Sequence, residues 1–353
     1  MSDRVDPARA PSPSWAASMV AAALTALARP ELWVVALAGF LGRGGMVAFL
    51  LPIVVLPSPS GVANVIAPSL TSFAFGLVSS SFVEIVAALI ALLLGWIVVG
   101  GLVGAWADIE LLRAAVGDEE LDVGGGYLVP PGRGTLARAL AVRLLAHLPL
   151  AVALAWGAVR IVLAAYAELI TPFEVVTPLF IRVLGDVPDA IAVIVTLWLL
   201  GEAAGGVAVR HAVLGRKSAA ASVRDGWLDL VRRPRSGFGT LLATDVAVGL
   251  AVVSSALAAS VVWSWARLAI LGRDGPAQVG AAIGILVAVW LGGLVLTSVA
   301  VAWRSLAWTA EWLRVMPHPA ADEKVGASSL GTFGGADHAR PGGRSSSRSS
   351  GTL

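Results

Sequence analysis

The chain has no cysteine, only four histidines, two tyrosines and four methionines, and charged residues make up just 14% of its 353 positions. Without cysteine there are no disulfides, no thiolate metal sites and no cysteine nucleophile. The four histidines, His147, His211, His318 and His338, show no HExxH or similar ligand spacing. No Gly-x-Ser-x-Gly elbow appears either. Nothing in the sequence calls for a catalytic residue, a metal or a cofactor. Net charge is only +2, so nucleic-acid binding has little global support. The one glycine-rich run, Gly126 to Thr135, carries Arg133-Gly134 in place of the lysine of a phosphate loop and two prolines where backbone amides are needed.

What the chain has in excess is apolar length. Hydrophobic residues reach 57% and mean hydropathy is +0.83. Soluble domains run about 45–50% apolar and about 25% charged. The apolar residues fall in blocks of the roughly 20 positions a membrane span needs. The spacing predicts spans over about 32–56, 82–106, 149–170, 189–209, 238–263 and 277–303. The expected fold class is all-α: a polytopic membrane protein of six helices in three hairpins, over residues 15–316. The polar termini, residues 1–14 and 317–353, read as disordered.

The stretch Ser222 to Leu242 organises the reading. Val223, Trp227, Leu230 and Val231 fall on one helical face, and Arg224, Asp225, Asp229, Arg232 and Arg233 on the other. Such a helix is expected to lie in the membrane interface, apolar side toward lipid. Arg232, Arg233 and Arg235 are then expected at lipid headgroups, anionic ones above all. Leu27-Ala28-Arg29-Pro30 and Leu145-Ala146-His147-Leu148-Pro149 share the shape of Leu230 to Pro234, and a long apolar run follows each. The chain thus reads as three units, each an interfacial elbow helix followed by a hairpin. Trp15–Arg29 is the first elbow, with Ser14 as its N-cap, and Thr135–Ala146 the second. Asp108–Arg143 is the longest polar insert.

Basic residues set the expected orientation. With the N-terminus inside, twenty lysines and arginines lie on inner segments and three on outer loops. That predicts a multi-pass protein of the cytoplasmic membrane with both termini in the cytoplasm.

Five charges fall inside the apolar blocks: Arg43, Glu84, Arg160, Glu202 and Asp245. A charge at the bilayer centre costs at least about 2.5–3.5 kcal/mol, so these are expected to face one another or a wet cavity. Arg43, within Gly42-Arg43-Gly44-Gly45, also marks a weakened stretch of helix. At least one of Arg43 and Arg160 is expected to pair with Glu84, Glu202 or Asp245. The cluster is either a transport or lipid-handling site or a structural lock. In the lock reading, the protein is a scaffold or accessory subunit that docks a cytoplasmic partner. Gly100-xxx-Gly104, Gly201-xxx-Gly205 and Gly280-xxx-Gly284 predict close helix packing.

The six-span layout with Leu-x-Arg-Pro elbows resembles uncharacterised bacterial membrane families. Among these are the membrane domains fused to glycerophosphodiester phosphodiesterases. The resemblance implies an integral membrane protein of unassigned activity. The chain has no phosphodiesterase catalytic domain, so no active-site residue carries over.

Overall fold

The computed structural model describes residues 14–50, 80–117, 133–170, 179–272 and 275–315. Every element in them is a helix, and no strand occurs among the described residues. In chain order they are α1 (Trp15–Ala28), α2 (Pro30–Phe40), a π-helical turn (Leu41–Gly45), α3 (Met46–Leu50), α4 (Ser80–Val116), α5 (Arg133–Ala146) and α6 (Leu148–Ile170). Then follow α7 (Leu179–Gly185), α8 (Pro188–Val213), α9 (Ala219–Arg232), α10 (Pro234–Leu271) and α11 (Pro276–Val315). Residues 1–13, 51–79, 118–132, 171–178, 273–274 and 316–353, and with them the polar tails, the insert core and the end of the first expected span, lie outside the described residues.

Six helices are long and apolar enough to cross a membrane: Pro30–Leu50, Val83–Val116, Leu148–Glu168, Pro188–Val213, Pro234–Leu271 and Pro276–Val315. Their surfaces agree with a lipid environment. Every residue from Val83 to Val99 is exposed, leucines, isoleucines and Trp96 included. Water-soluble monomers rarely show contiguous apolar surface on that scale. The chain is an integral membrane protein by this criterion.

Three short helices of 14 residues each, α1, α5 and α9, precede the first, third and fifth spans. Ser14 caps α1, its hydroxyl accepting from the Ala17 amide at 3.2 Å. Ser218 does the same for α9, accepting from Ala221 at 3.4 Å. Prolines open the following helices at Pro30 and Pro234, where the first-turn amide has no helical partner to lose. Each short helix packs on an even-numbered span: α1 on α11, α5 on α4 and α8, and α9 on α8. Those even-numbered spans, α4, α8 and α11, touch one another at the centre. Around them α2 packs on α4 and α11, α6 on α8, and α10 on α11.

The short helices use their faces differently. α1 turns Val20, Leu24 and Leu27 outward, each 58% exposed, and packs Met19, Ala22 and Ala26 inward. Trp33 Nε1 and Trp303 Nε1 donate to its Ala26 and Met19 carbonyls at 2.7 and 3.1 Å. The apolar face of α9 does not meet lipid as its pattern predicts. Leu230 is buried, and Val223 and Trp227 pack beside it against the α8 core; only Val231, 75% exposed, looks outward. The reason is Gly226. A Cβ there would come within 2.7 Å of the Ala204 carbonyl oxygen, so its absence lets α9 lie directly on α8.

One further expectation changes. Asp108 does not open a polar insert, because α4 runs on as helix to Val116 with Ile109, Leu111 and Leu112 buried. The Gly42–Gly45 stretch is a π-helical turn in which Gly44 takes φ 103°, a left-handed conformation open to glycine.

The core occupies one end of the bundle. Ala105, Ile109 and Leu112 of α4, Val142 of α5, Ala203, Ala204, Val207, Ala208, Val209, Ala212 and Val213 of α8, and Trp308, Trp312 and Leu313 of α11 form its larger part. Met19, Ala22, Leu32, Leu111, Val301 and Leu306 belong to a second cluster where α1, α2, α4 and α11 meet. Many of these residues are alanine, which lets the helices converge at short range.

Candidate functional site: a buried ion-pair chain

At the centre of this packed end, charges alternate along one continuous chain. Arg43 Nη1 donates to Asp108 at 3.1 Å. The other side of Asp108 takes Arg143, at 2.8 Å from Nη2 and 3.0 Å from Nε. Arg143 Nη1 lies 3.6 Å from Glu202. Glu202 also takes Arg304 at 2.7 Å and stands 3.3 Å from His147 Nε2. Arg304 Nη1 ends the chain on Asp245 at 2.8 Å. The chain joins the π-turn, α4, α5, α8, α11 and α10 in that order.

Local sequence explains each placement. Arg43 reaches Asp108 because Gly104 leaves space: a Cβ there would sit 3.1 Å from Arg43 Cγ. Arg43 Nε is also held by the Gly39 carbonyl at 3.1 Å. Gly205 gives the same room to Arg143, and Gly201 to His147. Arg143 lies on α5, outside the spans. Burial opposes its charge, but Asp108 and Glu202 overcome that cost and hold its pKa above the ordinary arginine value.

A fourth arginine, Arg210, stands beside the chain and is only 4% exposed. It has no carboxylate partner among the described residues. Its donors go to neutral oxygens: Thr309 Oγ1 at 3.1 Å, the Gly206 carbonyl, and the Ser305 carbonyl at 2.6 Å. Between these groups is a cavity of about 20 Å³, lined by Arg43, Asp108, Arg143, Glu202, Arg210, Asp245 and Arg304 together with neighbouring apolar residues. That is room for about one water-sized particle.

Three of the five intramembrane charges singled out in the sequence meet here, Arg43, Glu202 and Asp245. Two do not. Glu84 is exposed near the far end of α4. Arg160 pairs with Asp189 at 3.1 Å, with side chains 42% and 49% exposed, and lies 6.0 Å from the Trp156 ring centroid. The expected pairing of Arg43 or Arg160 with Glu84, Glu202 or Asp245 is therefore corrected to Arg43–Asp108 and Arg160–Asp189. The cause is depth. Asp189 and Glu202 are 13 residues apart on α8, roughly 20 Å along the axis, so Arg160 sits well outside the cluster's level.

Sequence reasoning misses Asp108, Arg143, Arg210 and Arg304. Each stands at the edge of an apolar block, where a charge reads as the point at which the chain leaves the membrane. The signal that could find them is apolar residues at helical spacing beyond the charge, such as Ile109 and Leu112 after Asp108, or Leu306 and Leu313 after Arg304. Arg232, Arg233 and Arg235 are exposed, and none of them forms an ion pair among the described residues. Those residues hold no group of three or more histidines and carboxylates able to hold a metal. No protein-family model, no curated protein and no solved structure matches the chain.

Proposed function

We propose that the protein is a non-catalytic membrane scaffold or accessory component of the cytoplasmic membrane. Its intramembrane charges lock the bundle, and its exposed basic residues meet anionic lipid headgroups or a cytoplasmic partner. One observation carries this reading. The ion pairs fasten six elements, and the space they leave at the cluster is about 20 Å³, room for a water-sized particle and not for a larger solute. Arg232, Arg233 and Arg235 are free to face outward at the junction of α9 and α10, where each adds about 1 kcal/mol toward an anionic surface. Both termini lie in the cytoplasm on this reading, as the basic residues require.

A second reading, a transport or lipid-handling site, draws support from the excess of arginine at the cavity. One experiment separates the two. The double variant Arg304→Met, Asp245→Asn removes one charge of each sign while keeping side-chain volume, and leaves Glu202 with Arg143 and His147. Replacing both partners of a buried pair by uncharged groups is often neutral, whereas stranding one partner costs about 3–5 kcal/mol. A lock predicts that the double variant accumulates in the membrane and complements a deletion strain, while Arg304→Met alone accumulates poorly. A folded double variant that fails to complement would sink the scaffold reading in favour of a working site.

A further inference from the structure

We propose that the cavity at the ion-pair chain holds one small monovalent anion of the size of chloride. Charge balance comes first. Arg43, Arg143, Arg210 and Arg304 line the cavity against Asp108, Glu202 and Asp245, four positive groups against three negative. Arginine keeps its charge at neutral pH, so the excess cannot be shed as a proton. The carboxylates are already committed: Asp108 to Arg43 and Arg143, Glu202 to Arg143, Arg304 and His147, Asp245 to Arg304.

The donors show where the missing charge belongs. Arg210 is 4% exposed and bonds only neutral oxygens, and Asp108, whose charge reaches it, is already shared between Arg43 and Arg143. Arg143 Nη1 is sealed from solvent and has no hydrogen-bond partner among the described residues, its nearest carboxylate oxygen being at 3.6 Å. Buried charges in proteins are paired, and among the described residues lining this cavity there is one carboxylate too few. A water molecule would fill the space and bond Nη1 but leave the charge unanswered. Size then selects the anion. A cavity of about 20 Å³ admits one particle near the size of water. A phosphate, free or on a lipid headgroup, does not fit.

The full-length protein in zwitterionic nanodiscs provides the test. Thermal unfolding is followed at constant ionic strength in sodium chloride, bromide, gluconate or phosphate. Chloride and bromide should raise Tm saturably, by about 2 °C when the anion exceeds its Kd tenfold. Gluconate and phosphate should not. The chloride NMR line should broaden in the presence of the protein, and bromide should compete that broadening away. Arg210→Met should lose both effects. The surface variant Arg232→Gln, Arg233→Gln, Arg235→Gln should keep them. If Arg210→Met does not accumulate, the chloride and gluconate comparison on the unaltered protein still decides. Equal Tm in those two salts overturns the proposal and leaves water as the occupant. It is also overturned if phosphate acts like chloride, or if the surface variant abolishes the broadening.

Discussion

Asp108 is the residue on which most of the buried charge turns, since it faces both Arg43 and Arg143. Removing its charge strands two guanidinium groups in a site with little water. Asp108→Asn should therefore cost about 3–5 kcal/mol, measured by thermal or denaturant unfolding in detergent. Arg160→Leu offers the contrast. Its pair with Asp189 is half exposed, and such pairs contribute about 0–1 kcal/mol. Should the two variants lose equal stability, the buried chain is not the bundle's lock. That a polar cluster exists at all is legible in the sequence, because charges inside apolar blocks must find partners. Which charges join is not. Pairing depends on how deep each helix starts, and Pro149 and Pro234 open helices set at different levels.

At the scale of the helix, glycine spacing has two meanings in this chain. Gly100 and Gly104 pack against Gly42 and Arg43, and Gly201 and Gly205 against His147 and Arg143. These pairs serve packing within the molecule. A Cβ added at Gly280 or Gly284 would meet nothing within 4 Å. Gly100→Ala would drive its methyl into the Gly42 carbonyl, so it should lower Tm by several degrees and weaken the Arg43–Asp108 pair behind it. Gly280→Ala should be neutral or slightly stabilising, since alanine is the better helix former by about 1 kcal/mol. Unfolding of the two purified variants checks this, and equal losses would contradict the packing described. The sequence shows the same Gly-xxx-Gly motif in all three places. Only the neighbour decides which of them matters.

For the whole molecule, the proposed topology has six crossings, which would bring both ends of the chain to one side of the membrane. The basic residues favour the cytoplasm for that side. A reporter active only outside the cytoplasmic membrane, fused after Leu353, should be silent, and a cytoplasmic reporter at the same place should be active. The opposite pattern would invert the topology. The basic residues do not all act alike here. Arg143, Arg210 and Arg304 count toward the inner side in the sequence, yet Arg210 is buried and Arg143 and Arg304 are half-buried among the helices. The orientation rests on the remaining ones.

Class follows from the order of residues without any knowledge of their neighbours. Apolar blocks of span length force helices, because no other open structure satisfies the backbone in lipid. The three short helices and their prolines are likewise local signals, read within a few residues. Ser14 caps α1 as the sequence indicates, and Gly42 to Gly45 does weaken the first span. Packing across the bundle settles the rest: that α9 lies on α8 rather than on lipid, that α4 and α11 continue as helix past their charges, and that Asp108, Arg143, Arg210 and Arg304 belong to one buried site. Those outcomes depend on long-range neighbours. A charge at the end of an apolar run has the same local sequence whether water or another helix waits beyond it, and only the partner across the bundle tells the two apart.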